Sequence, residues 1–333
     1  PITRGELWYE DEKKKNRRLA IYAVLSKVLK TINILIHPLF PYTREYLYQT
    51  VFDGKQSILL DKWPQYQESL VNEEIEESFD IMKDVVSVSS AARMKGKLKR
   101  RWPLNEAQIC VRKGQKIKLE SLSDLLQSQL NIEKFSIVET EKESGLEQIL
   151  ELKQLGLPVK AVIELERKRI GPKVKQHMSK LVSIFTETNS EEIISSLQKD
   201  GKFDFDIDGE TISLDSEDFV VDFDANENFA VSKRDNYIVF ISTLRNKEMM
   251  AKGLVKDVAR RLQTLRKERG YNPTDVLEIA SILDLDEESL EMVKERTKDL
   301  AFLVRVKQVN FTESCKEYKN DDIDGQKIRI SVE

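Results

Sequence analysis

Cysteine and histidine are scarce in this chain of 333 residues, and each shortage removes a class of chemistry. The two cysteines, Cys110 and Cys315, are far apart and no C-x-x-C pair exists, which excludes a zinc ribbon and argues against a disulfide framework. Any imidazole catalysis or metal binding would rest on His37 or His177 alone. No uninterrupted run approaches the roughly 18 apolar residues of a membrane span, and nothing at the start resembles a signal peptide. A cytoplasmic protein without a membrane partner is expected. There is also no phosphate-cradling glycine loop, no G-x-S-x-G, no H-E-x-x-H and no nucleophile with a base beside it. Neither a catalytic residue, a metal nor a cofactor is expected in the chain itself.

What is present is charge. The hydrophobic share of 40% supports real cores, while the charged share of 34% exceeds the usual ~25%. The length predicts two or three domains, and the start at Pro1 suggests a piece of a longer protein. Net charge is −4, but its distribution is uneven. Residues 91–120 hold ten basic residues against Glu106 and Glu120. Residues 200–235 hold twelve acids against Lys202, Lys233 and Arg234. One region can hold phosphate and another should repel it.

The pattern predicts an α+β chain: an N-terminal antiparallel α-helical bundle followed by a mixed α/β C-terminal region with antiparallel sheet. Apolar residues recur near a 3.6 period from Asn16 to Ile36, and His37-Pro38 and Phe40-Pro41 end that helix. Thr43 is expected to cap a helix over 44–51, Asp53-Gly54 to form a turn, and 58–64 to run extended. A second long helix is predicted over 73–98, with Ile75, Phe79, Met82, Val86 and Ala91 as its buried stripe. The bundle should occupy 1–104 and the α/β region 105–333, with a possible subdivision near residue 243. In the latter, strands are predicted over 107–111, 134–139 and 159–166, and helices over 119–130 and 171–185, with Ser190 capping a further helix to about 199. A five-run meander is predicted over 202–241, punctuated by Asp208-Gly209, Ala225-Asn226 and Asp235-Asn236. A long helix over 244–269 ends at Gly270 and Pro273. Strands over 276–283, 302–309 and 327–332 then surround a helix over 287–297.

Five features invite a chemical reading. His37 reads as a helix-terminal residue. Met178-Ser179-Lys180 has the letters of a nucleotide-binding M-S-K loop but falls within an amphipathic helix. Asp204, Asp206 and Asp208-Gly209 begin like a calcium loop, yet position twelve is Asp215 rather than Glu and Phe205 and Ile207 suit a strand face, so a solvated hairpin is preferred. The strongest feature is the run from Arg93 to Pro103, with Arg93, Lys95, Lys97, Lys99, Arg100 and Arg101 followed by Trp102. Such cations neutralise phosphates with counterion release, and an aromatic beside them can stack on an unpaired base. A second basic stretch, 252–269, sets seven cations against Asp257 and Glu268, with apolar residues forming its other face.

The segment Ala91–Leu104 resembles the one that closes the anticodon-binding bundle of archaeal and eukaryotic isoleucyl-tRNA synthetases. Thr3-Arg-Gly-Glu-Leu-Trp8, His37-Pro-Leu-Phe-Pro-Tyr-Thr-Arg-Glu-Tyr-Leu-Tyr48 and Ser57-Ile-Leu-Leu-Asp-Lys-Trp-Pro64 stand upstream in that family's order. Leu122–Asn131 and the stretch from Gly253 to Asp275 follow downstream, the last separating the chain from valyl and leucyl relatives. The resemblance implies a tRNA-binding C-terminal part of the synthetase that grips the anticodon arm of tRNA(Ile). Aminoacylation, with ATP and magnesium, would belong to a catalytic remainder of the synthetase outside this chain. It implies tRNA contacts at Arg4, Arg93, Lys95, Lys97, Lys99, Arg100, Arg101 and Trp102, with Trp63 a further aromatic position. Lacking C-terminal zinc cysteines, the chain differs from relatives with a zinc module. The alternative is a structural or protein-interaction module whose acidic α/β region docks other proteins without touching RNA.

Overall fold

The period over residues 16–36 forms helix α1 (Lys15–Ile36) in the computed structural model, which describes residues 3, 7, 15–52, 56–174 and 177–333. The predicted turn at Asp53-Gly54 lies outside the described residues, as does Arg4. Helix α2 spans Pro41–Val51. Its N-cap is Phe40, and Pro41 occupies the first helical position, where the missing N–H costs nothing. Thr43 therefore lies inside the helix rather than capping it. Residues 58–60 form a 3-10 turn capped by Ser57 instead of an extended crossing.

These elements belong to the first of two compact units, Pro1–Glu73 with Tyr271–Asp275. Inside it, buried Tyr48 donates to Asp61 Oδ2 at 2.6 Å, and Lys30 Nζ meets the same oxygen at 2.9 Å. That ion pair holds the Lys30 pKa above its ordinary value. Asn33 Nδ2 donates to the Arg44 carbonyl at 2.9 Å, tying α1 to α2. An 18-residue stretch of α1 has a mean hydropathy of 1.7, and the helix is long and apolar enough to cross a membrane by length and composition. Lys27 and Lys30 interrupt its apolar surface, however, and Lys30 is already paired within the unit.

The second unit is Glu74–Gly270 with Val276–Glu333. The expected boundary at 104 thus falls inside it, and helix α3 (Glu73–Lys95) packs with the sheet that follows. The apolar α3 side chains sealed away are Ile81, Met82, Val85, Val88 and Ala92, with Phe79 and Val86 flanking them. Ile75 is exposed, so the buried stripe is rotated from the one expected. Strand β1 (Leu104–Arg112) leads through α4 (Lys116–Glu120) and α5 (Ser123–Leu130) to β2 (Ile132–Thr140). Then come α6 (Gly145–Gln154), β3 (Val159–Leu165), α7 (Arg167–Val174), α8 (Met178–Glu187) and α9 (Ser190–Asp200). The cap of α9 is Asn189 rather than Ser190, which is the first helical residue; the Asn189 side chain accepts from Glu191 N.

The acidic stretch gives five strands, β4 (Lys202–Ile207), β5 (Glu210–Asp215), β6 (Phe219–Ala225), β7 (Phe229–Arg234) and β8 (Tyr237–Ser242), but no meander. Two-residue turns at Asp208-Gly209 and Asp235-Asn236 close the β4–β5 and β7–β8 hairpins. β6 pairs with β3, and β8 pairs with β1. The four-stranded sheet β2-β1-β8-β7 is mixed, since β1 and β2 run parallel. Helix α10 (Lys247–Glu268) precedes a second mixed sheet, β10-β9-β12-β11. Its strands are β9 (Leu277–Leu283), β10 (Val306–Asn310), β11 (Lys319–Ile323) and β12 (Gln326–Val332), with α11 (Glu287–Glu295) and α12 (Thr297–Val304) between β9 and β10. Residues 302–304, read as strand, are the end of α12. The α+β class is borne out: a helical start, then an α/β region with mixed rather than purely antiparallel sheets.

Candidate nucleic-acid interface

Helix α3 ends in a Schellman motif, and that ending shapes the basic run. Leu98 N donates to Arg93 O at 2.8 Å and Lys97 N to Met94 O at 3.1 Å, the two bonds that define the motif. Lys97 therefore occupies the left-handed position, φ 52°, where glycine is usual. Gly96 just before it is needed for packing, since a Cβ there would lie 2.9 Å from Ala230 Cβ in β7. Leu98 tucks inward, leaving Lys97 in solvent.

Three polar side chains hold the loop after the helix. Arg93 is 4% exposed and belongs to the interior. Its Nη1 donates to the carbonyls of Lys99 (3.1 Å) and Trp102 (3.0 Å), and its Nη2 to those of Leu130 (2.7 Å) and Asn131 (3.2 Å). Burial, followed by the repulsion of Arg100 and Arg245, pulls its pKa down to about 10. Asn131 caps α5 in the left-handed conformation. It donates to the carbonyls of Arg100 (3.3 Å) and Arg101 (3.0 Å), and accepts from Lys256 Nζ at 3.1 Å. Burial, then Arg93 and Lys252, lower the Lys256 pKa. Asp257 of α10, 2% exposed, accepts from Trp102 Nε1 at 2.7 Å and Lys99 Nζ at 3.2 Å, with Arg101 Nε 3.6 Å from its other oxygen.

Trp102 is buried by this arrangement. Its ring lies on Gly253, where a Cβ would come within 2.7 Å of Cγ. The Arg245 guanidinium stands 5.0 Å from the ring centroid and Lys99 Nζ 5.1 Å. The indole anchors the loop and has no open face for a base.

The expected contact residues thus divide by geometry. Arg93 and Trp102 are interior. Lys99 is held by Asp257 and Asp324, and half-buried Arg101 lies beside Asp257. Lys95, Lys97 and Arg100 are exposed, with no ion pair among the described residues, and form an outward rim. Trp63 is half exposed in the first unit. Sequence reasoning missed Asn131, Arg245 and Asp257. Asp257 had a signal: it is an acid on the apolar face of α10, between Leu254 and Val258, where a charge needs partners.

The second basic stretch turns largely inward. Lys252 pairs with Glu133 at 2.8 Å, Arg261 donates to the Asp322 carbonyl at 2.7 Å, and Arg266 donates to the Val304 carbonyl. His177 starts no nucleotide loop: its ring nitrogens stand 3.7 Å from Asp208 and 3.6 Å from Glu210. Among the described residues, no group of three or more His, Cys, Asp or Glu side chains is placed to hold a metal.

Residues 2–109 match the model of the anticodon-binding domain of tRNA ligase. The chain is further similar to isoleucine--tRNA ligases, as the sequence motifs implied. That of Sulfolobus acidocaldarius is 24% identical over 99% of this chain and 30% of the relative. That of Pyrococcus abyssi is 26% identical over 88% of the chain and 26% of the relative. The Bacteroides fragilis ligase is 27% identical over 79% of the chain and 22% of the relative. The chain therefore spans under a third of the length of the relatives it matches.

Proposed function

We propose that this chain is the tRNA-handling C-terminal part of an isoleucine--tRNA ligase. It holds the anticodon arm of tRNA(Ile) in the cytoplasm while the remainder of the synthetase aminoacylates with ATP and magnesium. The observation that supports this reading best is the match of residues 2–109 to an anticodon-binding domain. In that segment Lys95 faces solvent from the end of α3, and Lys97 and Arg100 from a loop fixed by Arg93, Asn131 and Asp257. A loop already fixed loses little entropy on meeting a phosphate rail. Arg4 is a further proposed contact by resemblance.

Titration of tRNA(Ile) at several salt concentrations tests this. Three phosphate contacts give a log–log salt slope of roughly −2 to −3. Changing Lys95, Lys97 and Arg100 together to Ala should flatten most of it, and an unaltered slope would sink this surface. The chain alone should show no ATP–pyrophosphate exchange. A second reading, a protein-docking module without RNA contact, is favoured by one observation: Lys99 and Arg101 already face acids of the same chain. It predicts no salt-dependent tRNA binding.

A further inference from the structure

The basic loop carries its own opposition. Asp257 is buried, and Lys99, Arg101 and the Trp102 N–H supply the partners a buried carboxylate requires. Asp324 differs. It is exposed, and it meets Lys99 from the turn between β11 and β12. Exposed pairs of this kind add little stability.

Backbone geometry sets where Asp324 stands. Ile323 pairs with Gln326, so Asp324-Gly325 is a two-residue hairpin turn, and both residues have positive φ (55° and 88°). Asp322 Oδ1 accepts from Gly325 N at 2.9 Å. Arg261 of α10 donates to the Asp322 carbonyl through Nε at 3.0 Å and Nη2 at 2.7 Å. The carboxylate is thus presented to Lys99 by a braced turn.

We infer that Asp324 is a specificity-determining residue for the proposed RNA surface: it draws Lys99 out of the cationic rim and so limits how strongly RNA is held by charge alone. With Lys99 shared between Asp324 and buried Asp257, three cations of the run face solvent. Charge is the sequence-independent part of nucleic-acid affinity. Withholding one cation therefore weakens attachment to any RNA strand and leaves shape and base contacts to choose the partner. This inference rests on the RNA-binding reading above.

The test uses the full chain with Asp324→Asn and Asp324→Gly, both of which suit the left-handed turn position. Binding of fluorescein-labelled tRNA(Ile) and of a labelled oligouridylate is followed by anisotropy at 50, 100 and 200 mM KCl. Each variant should steepen the salt slope on both RNAs, by at most the roughly 0.7–0.9 of one phosphate contact, because Asp257 still accepts from Lys99. Oligouridylate should bind about threefold or more tighter at the lowest salt. In a Lys99→Gln background the same changes should have no effect. Wild-type binding with an unchanged slope in both variants overturns this inference alone. Equal tightening in the Lys99→Gln background also overturns it, because the acid would then act by general repulsion. A wild-type chain with no salt-dependent tRNA binding overturns the RNA-binding reading and this inference with it.

Discussion

Lys97 sets backbone preference against chemistry at a single residue. The Schellman ending of α3 favours glycine where Lys97 stands, and a side chain in the left-handed region costs about 1 kcal/mol. Lys97→Gly should therefore raise stability by about 0.5–1 kcal/mol, read as a higher Tm, while making the tRNA salt slope shallower by about 0.8. A variant that gains stability with an unaltered slope would place Lys97 outside the interface. Arg93 is the opposite case. It sits in the basic run yet serves four carbonyls, and Arg93→Met should cost about 3 kcal/mol by stranding buried acceptors. Arg93→Lys should restore only part of that loss, because one ammonium cannot replace the guanidinium fork. The cysteines divide as well. Cys110 is buried and its thiol is pushed up to about 12, chiefly by desolvation and then by Glu151. A thiol reagent at mildly alkaline pH should label Cys315 in the native chain and reach Cys110 only on unfolding.

At the scale of elements, periodicity located most helices and strands but not their partners. The long helices over 15–36, 73–95 and 247–268 and the five acidic strands stood near their expected places because apolar spacing reports local conformation directly. Which strand pairs with which was not legible. The β3–β6 pair joins segments tens of residues apart and the β1–β8 pair segments more than a hundred apart, and only the two-residue turns left a local mark. The α3 stripe was displaced for a related reason: Ser78 and Ser89 are buried beside Ile81 and Val85, and small polar residues blur the apolar face. The site shows the same limit. The basic run could be read as a string of cations, but which of them face solvent depends on Asn131 and Asp257, 30 and more residues away. Gly253 tests that packing. Gly253→Ala would drive a methyl into the Trp102 ring and should cost about 1–3 kcal/mol. A Tm within a degree of wild type would mean that the indole does not rest on α10.

At the scale of the whole molecule, the resemblance and the compact units cut the chain differently. The anticodon-binding match covers residues 2–109, whereas the units divide at Glu73 and Glu74. The cationic rim and everything that braces it, Arg93, Asn131 and Asp257, lie in the second unit. Exposed aromatics are prominent in the first: Tyr42 is 90% accessible, Tyr66 79%, Tyr46 68% and Trp63 54%. Aromatic faces can stack on unpaired bases, whereas cations answer to phosphate whatever the sequence. A chain starting at Glu74 should therefore keep a cooperative melt, because the sheet core built on α3 starts at Ile81. Its salt slope on RNA should stay near that of the full chain, while its preference for tRNA over oligouridylate falls severalfold. Anisotropy titrations of both chains against both RNAs would measure this. Loss of the slope in the shorter chain would show that the phosphate contacts reside in the first unit, and the loop after α3 would then lose its place as the interface.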